Sequence, residues 1–503
     1  MKTSDLYKIF IIRICFNPLP PRLILLFSSL CFQSPLIAQD KTQYLLHEIP
    51  QTLALNPAII YKCKSYIELP LISQLQFYYR NSGFSHKQAF IERQGFTEDT
   101  TRIDIDRLAR VIGNRNHIRL GGKAGLLGFG FEANDWFFSM NISNRTSGRL
   151  SFNRDIIDAR DGNWDLTNNL PREVIINGTG IHLINYTEFA IGAAYQINPK
   201  FSAGIRAKYL LGSAHIQTRR SNIGIITTDS PLELTVTSDL LVRGNLPLDL
   251  ALDNEGYVTD AESHLNSYSD LPALLLSWNH GMAVDAGIIY SYSEKVTFSA
   301  SLLDIGFIQW RKNTSMISQD EEFVFQGIDM NNYLQSNAET DFIQALQDSI
   351  ETRLRLSGSN DPYTAMIPAR FFIATDYKWN QKINLGVVLE GEILSSRLYP
   401  SITFTAIYRP SDILSASLSY SLMDRGFANL GYGIIIGKSP VSFYFVSDNI
   451  PFTYVHEEDQ GLIWPYSART MNFRIGMNII LGCRDKQAYF KKTKWRKSCP
   501  AYQ

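Results

Sequence analysis

Residues that could do chemistry are present in this sequence, but almost none stand at a spacing that a known chemistry requires. Residues 128–133 match the GxGxxA pattern of dinucleotide-binding loops, yet a turn and another strand-like segment follow instead of a helix. Glycines beside a strand turn explain the match better. GxSxG, HExxH and CxxC are absent, and the eight histidines are scattered. We therefore expect no catalytic residue, no metal site and no cofactor.

Lone histidines leave one minor alternative open, an enzyme built on a barrel. A hydrolase needs a serine, a histidine and an acid that converge at one place in the fold. His182, His215 and His280 show no such convergence in the sequence, so we expect the chain not to be an enzyme. The acidic run at residues 456–459 offers oxygen ligands that suit a divalent cation, but a solvated loop is the preferred interpretation.

Composition narrows the classes of partner. The 503 residues carry 48 basic and 48 acidic side chains, whereas nucleic-acid-binding domains usually have a basic excess, so we expect no nucleic-acid partner. Charged residues make up 19% of the chain, below the roughly 25% of average soluble proteins. Tyrosine and phenylalanine are plentiful. This combination is typical of a protein with an apolar belt that contacts lipid.

A strict two-residue period determines where the polar side chains point. Residues 414–422 alternate apolar side chains with Ser415, Ser417, Ser419 and Ser421. Successive side chains of a strand point to opposite faces, so this period predicts antiparallel strands with one apolar and one hydroxyl-bearing face. The apolar face could contact either the core of a soluble sandwich or lipid.

Charged residues on the polar face favour lipid over a soluble sandwich. Arg206 and Lys208 alternate with apolar residues in the segment 201–211, and Glu390 stands in a similar pattern. Charges are costly in a sandwich core but suit the polar lumen of a barrel. Charges on the solvent face of a soluble sheet are the alternative. We expect these three residues and the serines named above to face a lumen.

About fourteen strands can be counted around a closed wall, within a range of twelve to sixteen. Short turns alternate with long loops, which is the signature of an outer-membrane barrel. The predicted fold class is an all-β transmembrane antiparallel barrel over residues 66–482 with long extracellular loops. Residues 215–243 predict a hairpin beyond the membrane, and counting them in the wall would give sixteen strands. The predicted wall strands are 66–80, 117–131, 133–147, 184–197, 200–214, 280–293, 295–310, 366–379, 381–393, 398–409, 412–422, 427–437, 439–448 and 469–482.

The N-terminus predicts export from the cytoplasm. Basic residues precede the apolar stretch 23–27, and small residues follow at 36–38, so residues 1–38 are typical of a secretory signal peptide. The rest of the sequence lacks about 18 consecutive apolar residues, the length of a transmembrane helix. A strand wall that closes on itself can still cross a membrane. We therefore expect the outer membrane of a Gram-negative cell, reached by Sec-dependent export.

Cysteines and basic residues mark the C-terminal tail, residues 483–503. In an oxidising envelope Cys483 and Cys499 could close a small loop, and two unpaired thiols are an equally weighted alternative. The basic run 491–497 could contact anionic lipid headgroups, although a solvated tail is preferred. We treat the tail as periplasmic.

Two sets of motifs resemble known families. Leu55-Asn56-Pro57-Ala58 resembles the NPA element near the N-terminus of FadL-type hydrocarbon channels and of the related PorV proteins of type IX secretion. The resemblance implies that residues 39–65 fold into the lumen as a hatch, with a periplasmic extension as the alternative. Further segments look like a Bacteroidota outer-membrane family of undefined function: YIELP (66–70), NSGF (81–84), GFG (128–130), DGNW (161–164), NYTE (185–188) and KYLLG (208–212).

Two functions follow from the fold and the resemblance. The first is passage of a hydrophobic small molecule across the outer membrane, as the FadL-type resemblance implies. The second is a non-catalytic scaffold for protein secretion or surface attachment, as the PorV-type resemblance implies. Expected partners are outer-membrane lipid together with a hydrophobic ligand or a secretion or surface protein.

Overall fold

The alternating segments form long antiparallel strands in the computed structural model of the chain. In chain order the strands are β1 Cys63–Glu68, β2 Leu75–Asn81, β3 Phe90–Glu92, β4 Thr101–Ile103, β5 Asn116–Ala133, β6 Trp136–Phe152, β7 Trp164–Asp165, β8 Leu170–Pro171, β9 Val174–Asn177, β10 Gly180–Asn198, β11 Phe201–Asp229, β12 Leu232–Asn245, β13 Leu248–Leu252, β14 Val258–Ser263, β15 Asn279–Ser291, β16 Val296–Trp310, β17 Thr314–Phe325, β18 Ser357–Ser359, β19 Tyr363–Met366, β20 Ala369–Lys378, β21 Ile383–Leu394, β22 Arg397–Tyr408, β23 Leu414–Met423, β24 Gly426–Gly437, β25 Val441–Ser447, β26 Tyr454–Glu457, β27 Leu462–Pro465 and β28 Thr470–Cys483.

The structure describes a defined part of the chain. Its described residues are 40–92, 101–165, 168, 170–229, 232–245, 248–263, 279–325, 356–394, 397–423, 426–437, 439–449, 454–457, 462–465 and 469–483. The predicted signal peptide and most of the tail lie outside these residues.

The sheet closes on itself because the first wall strand pairs with the last. Ile67 of β1 stands opposite Ile479 of β28 on one side and opposite Phe129 of β5 on the other. Strand β2 continues the same wall position after a short break, with the same two neighbours. The ring therefore has fourteen positions, which confirms the predicted count: β1 with β2, β5, β6, β10, β11, β15, β16, β19 with β20, β21, β22, β23, β24, β25 and β28.

Six short connections lie at one end of the wall, and two further short links, 395–396 and 424–425, lie at the other end. The strand bounds leave short links at 134–135, 199–200, 292–295, 379–382 and 409–413, with a sixth at 438–440. These are the six short turns that the sequence predicted. Long connections lie at the other end, and β1 begins and β28 ends beside the short turns. The sorted connections and the closed wall are the architecture of a transmembrane barrel.

The two faces of the wall differ in burial as the two-residue period predicts. Ile205 is 58% exposed, whereas its neighbour Arg206 is 3% exposed. Strand β23 repeats the pattern, with Leu418 exposed and Ser417 and Ser419 buried. Apolar side chains thus cover the outside, where hydrocarbon replaces water as the solvent. None of the helices among the described residues is long and apolar enough to cross a membrane.

One part of the wall continues beyond the barrel. Strand β11 runs past its barrel neighbour β15 and pairs with β12, with Ile225 opposite Val236. Strand β12 then pairs with β17, with Leu240 opposite Gln319. The prediction of a hairpin over 215–243 outside the wall is confirmed, and the wall keeps fourteen positions.

Helices are few and short among the described residues. The helix Ile105–Val111 begins at Asp104, whose side chain accepts a hydrogen bond of 2.9 Å from the backbone amide of Arg107. An acidic N-cap satisfies an otherwise unpaired amide of the first turn. The remaining helices are Lys41–Tyr44, His86–Ala89 and Asp155–Asp158, with 3-10 helices at Pro50–Ala54 and Ala159–Asp161.

The disulfide differs from the predicted pairing. Cys483 is bonded to Cys63, where the first and last wall strands meet at the short-turn end. The proposed Cys483–Cys499 pair is therefore wrong, because a sulfur already in one disulfide cannot join a second; Cys499 itself lies outside the described residues. Sequence spacing favoured the near cysteine, whereas barrel closure brings the distant one into register.

If the exposed face of β23 contacts lipid, a charged side chain on that face costs more free energy the deeper it lies in the membrane. Leu414 and Leu418 are exposed on the same face of β23, but Leu414 follows the short turn and Leu418 lies deeper in the wall. We expect Leu418→Arg to lower the free energy of unfolding by about 2–4 kcal/mol and Leu414→Arg by about 0–1 kcal/mol. Denaturant unfolding in lipid vesicles measures both. Equal small costs at the two positions would mean that this face does not contact hydrocarbon.

Candidate functional site

The interior of the barrel is occupied by residues 40–61, which we call the inner segment. Its apolar side chains pack on apolar residues of the inner wall face, and the Tyr44 ring stacks on Phe372 with ring centroids 4.8 Å apart. Leu46 and Ile49 are each 1% exposed. Burial of these apolar side chains against the inner wall face removes their surface from water, and this favours the position of the segment inside the barrel.

Hydrogen bonds join the inner segment to strands that are distant in sequence. The hydroxyl groups of Thr42 and Ser419 are 2.5 Å apart, and the Thr42 amide donates to Asp448 at 2.8 Å. On the opposite side, Ser202 donates to the Ala58 carbonyl at 2.9 Å and Ser301 donates to the Leu55 carbonyl at 2.7 Å. Wall hydroxyl groups therefore satisfy backbone groups of the segment, which otherwise would be costly to bury.

The Asn56-Pro57-Ala58 turn seats the segment on the wall. Asn56 is 1% exposed; its carbonyl oxygen accepts from the Ala58 amide at 2.9 Å and its NH2 group donates to the Tyr44 hydroxyl at 3.0 Å. A Cβ atom at Gly204 would lie 2.1 Å from the Pro57 carbonyl oxygen, and one at Gly287 would lie 2.2 Å from the Asn56 side-chain oxygen. Only glycine allows the turn to approach these two strands so closely.

Similar glycine contacts surround the rest of the segment. An added Cβ would come within 2.1 Å of Leu45 at Gly386, within 2.7 Å of Thr42 at Gly431 and within 3.1 Å of Leu46 at Gly433. The wall is therefore shaped to hold the segment from several sides.

An ion pair anchors the segment at the short-turn end. Arg409, in the turn after β22, donates to both carboxylate oxygens of Glu48, at 2.6 and 3.3 Å. Burial alone would raise the pKa of the Glu48 carboxyl, but the Arg409 guanidinium outweighs burial and lowers that pKa to about 2. The pair therefore stays charged at any pH that the envelope reaches.

A buried ionic cluster fills the lumen beside the segment. Lys208 lies 2.7 Å from Asp285 and 2.5 Å from Asp304, and Arg145 reaches Asp304 at 3.0 Å. Glu188 is the third acid of this cluster; it lies 3.2 Å from Lys123 and 3.8 Å from both Arg206 and Lys208. Opposite charges at these distances offset the cost of removing each group from water.

Asp40 connects the inner segment to this cluster. Its carboxylate pairs with both Arg370 and Arg474, and Arg370 also bonds Asp304 at 3.1 Å. The chain of pairs runs from the segment through the wall arginines to the cluster. A cavity of about 20 Å³ is left between segment and cluster, room for about one water molecule.

The wall ladder is interrupted beside the ionic cluster. Strand β16 pairs with β20 as far as Leu303 and resumes with β19 at Phe307. Between them Asp304 has a φ of 60°, and its amide donates to the side-chain carboxylate of Asp285 on β15 at 2.7 Å instead of to a backbone carbonyl. Inside this interruption lies an apolar cluster that includes Trp310 and Ile367.

The predicted lumen residues all lie on the buried face. Ser415, Ser417 and Ser419 are 8%, 6% and 2% exposed, Arg206 and Lys208 belong to the ionic cluster, and Lys41 lies 3.7 Å from Glu390. The sequence reading missed Glu188, Asp285 and Asp304. The pattern that predicted Arg206, Lys208 and Glu390 could also have identified these three acids, because each stands in a strand whose side chains alternate between two faces.

The three lone histidines do not assemble a catalytic site among the described residues. His280 bonds the Tyr209 hydroxyl at 2.5 Å on the exposed face, whereas His215 bonds the Tyr363 hydroxyl at 2.8 Å on the buried face. His182 lies near His215 with ring centroids 5.6 Å apart. No group of three metal-ligating side chains occurs in the described ranges, and the side chains of 456–459 lie outside them.

Comparisons with known proteins give a family but no assigned activity. A profile described as "Family of unknown function (DUF5723)" matches residues 57–448. No curated protein matches the chain. Similar solved structures include a Pseudomonas aeruginosa FadL homologue, with 11% identity and a TM-score of 0.41 over 90% of this chain and 100% of that chain. The Ralstonia pickettii toluene transporter TbuX has 8% identity and a TM-score of 0.41 over 86% of this chain and 94% of that chain.

The close approach at Gly204 gives a test of how the inner segment is held. We expect Gly204→Ala to displace the Pro57 turn, at a cost of about 1–3 kcal/mol from overpacking. Gly148→Ala is the matched control, because an added Cβ there has its nearest neighbour at 3.5 Å. Ionic current across planar bilayers should rise for Gly204→Ala and stay at the unmodified level for Gly148→Ala. Identical currents would show that the turn is not seated on Gly204.

Proposed function

The chain belongs to DUF5723, a family of unknown function, and we propose that it is an outer-membrane channel for a small hydrophobic molecule. In this proposal the signal peptide directs export, the inner segment acts as a hatch, and the molecule leaves the barrel sideways into lipid. The interrupted ladder between β16 and β20 beside an apolar interior cluster is the observation that carries it.

The interruption combines two features that a lateral path needs. At Asp304 the wall loses its regular backbone pairing, and the next backbone bond to the neighbouring strand is from the Ile367 amide to the Gly306 carbonyl at 3.2 Å. Next to Asp304 in the direction of β19, apolar side chains lie on both faces: Ile305 is 47% exposed outward, while Ile367 and Ile308 are buried inward. A small rearrangement of 367–369 would join the interior cluster to lipid.

Free diffusion of water and ions along the barrel axis is disfavoured by the same structure. The inner segment fills the short-turn end, and the ionic cluster fills the middle of the lumen. An apolar molecule gains free energy by moving from water to an apolar interior and then to lipid. A lateral route therefore suits an apolar molecule better than a polar one.

The hatch would be released through Asp40. Its pairs with Arg370 and Arg474 are the links between the segment and the cluster, and Arg370 also contacts the cluster acid Asp304. A molecule that disturbs Asp304 would also disturb the hold on Asp40. Entry of the molecule and movement of the hatch would thus be coupled through Arg370.

A scaffold for protein secretion or surface attachment is the second candidate. The sheet β11, β12 and β17 extends beyond the barrel and offers a strand surface that the channel does not need. Isolation of the full-length protein in mild detergent separates the two functions: a stoichiometric protein partner with no effect of the chain on uptake would favour the scaffold.

Uptake by cells tests the channel. Cells that produce the chain should take up radiolabelled naphthalene faster than cells without it, and glucose uptake should not change. Ile367→Ser places a hydroxyl group in the apolar path and should slow naphthalene uptake by about tenfold or more. Ile480→Ser is the control, because Ile480 is equally buried but lies in another cluster near the disulfide.

Two outcomes would contradict the channel. Naphthalene uptake that is the same with and without the chain would exclude passage. Equal losses in Ile367→Ser and Ile480→Ser, with equal losses of folded protein, would show that the effect is on stability and not on the path.

A further inference from the structure

A row of basic side chains lies at one height across neighbouring strands at the long-loop end. In register, Arg80 of β2 stands opposite Arg119 of β5, Arg119 opposite Arg149 of β6, and Arg149 opposite His182 of β10. Like charges directly opposite each other destabilise a sheet. The three arginines at one height therefore call for a compensating negative charge.

Glu392 supplies such a charge to Arg119. Glu392 accepts two hydrogen bonds from Arg119, at 2.5 and 2.6 Å. Arg80 is 6% exposed, and among the described residues its guanidinium makes neither a hydrogen bond nor an ion pair; its Nε atom is buried without a partner. A buried cation left in this state is costly, and a bound anion would remove the cost.

Arg80 and its neighbours line a cavity of about 660 Å³ at the outer end of the barrel. This is the volume of a pocket for a drug-sized molecule. None of the described lining residues is an acid, although Arg220 bonds Asp239 outside the lining at 3.1 Å. The arginines of the lining are Arg80, Arg115, Arg149, Arg219 and Arg220, and His117 and His182 add two imidazoles.

Most of the other side chains of the lining are polar, and Ile181 and Leu398 are the apolar ones. Hydroxyl and amide side chains, among them Ser82, Asn116, Ser151 and Gln217, can both donate and accept hydrogen bonds. Tyr399 adds one aromatic face, over which the Arg149 guanidinium lies at 5.2 Å from the ring centroid. Hydroxyl-rich molecules match such a lining, and apolar molecules do not.

We propose that this cavity binds an acidic saccharide, that is, a sugar with a phosphate or carboxylate group. The acid group would bond Arg80 at the floor, where a planar guanidinium can hold two oxygens of a phosphate or carboxylate at once. The sugar hydroxyls would bond the neutral polar side chains above. The site is separate from the apolar cluster, so it does not depend on the proposed passage of a hydrophobic molecule.

Calorimetry with the full chain in detergent tests the site. Glucose 6-phosphate and glucuronate are the acidic probes, glucose is the neutral probe, and inorganic phosphate reports the acid group alone. We expect both acidic sugars to bind more tightly than glucose and than inorganic phosphate, with affinity that falls as salt rises. Arg80→Gln should weaken acidic-sugar binding by about tenfold or more, since hydrogen bonds to charged groups have that magnitude.

Controls separate binding from folding. Arg154→Gln removes an exposed loop arginine that pairs with Asp158, and it should leave affinity unchanged. Arg80→Lys should recover part of the affinity, because it restores the charge without the planar fork. The free Arg80→Gln protein should be at least as resistant to denaturant as the unmodified protein, because the substitution removes an unpaired buried charge.

Three results would overturn the proposal. The first is equal affinity for glucose and glucose 6-phosphate. The second is acidic-sugar binding that Arg80→Gln leaves unchanged. The third is a loss of denaturant resistance in Arg80→Gln, which would show that Arg80 has a structural partner and is not held ready for a ligand.

Discussion

Backbone hydrogen bonding in hydrocarbon is the constraint on which the rest of this structure depends. A strand surrounded by lipid has no water to satisfy its amides and carbonyls, so the sheet must close into a ring. Here β1 and β2 complete the ring by pairing with β28 on one side and β5 on the other. Closure then determines the two faces: every second side chain contacts lipid, and the others enter a space that must be filled or hydrated.

Paired side chains of the wall and the inner segment fill the short-turn end and the middle of this barrel. Apolar side chains of the inner segment pack on one part of the wall, and its backbone carbonyls accept hydrogen bonds from wall hydroxyl groups. Asp40 of the segment pairs with Arg370, which connects it to the ionic cluster. Each buried acid of the cluster has at least one cation within 4 Å. Removing one member would leave an uncompensated charge, which costs more than the pair contributes.

The wall could be predicted from sequence because period-two alternation and loop length are local signals. The six short turns and the lumen-facing direction of Arg206 and Ser419 follow from neighbours a few residues away. The ion pairs inside the lumen could not be predicted, because they join strands that are distant in sequence. Lys208 and Asp304 are 96 residues apart, and Arg119 and Glu392 are 273 residues apart. The disulfide shows the same limit, since Cys63 and Cys483 are separated by 420 residues and meet only through closure.

Residues 40–61 lie inside the closed barrel, and a pair of introduced cysteines tests this placement most directly. The Thr42 and Ser419 hydroxyl oxygens are 2.5 Å apart, so Thr42→Cys with Ser419→Cys should form a disulfide in the envelope, seen as a linked peptide pair after proteolysis. Thr42→Cys with Ser415→Cys is the control, because Ser415 lies on the same face of the same strand about 13 Å away. Linkage only in the first pair is the expected result. No linkage in the first pair, or equal linkage in both, would contradict the account.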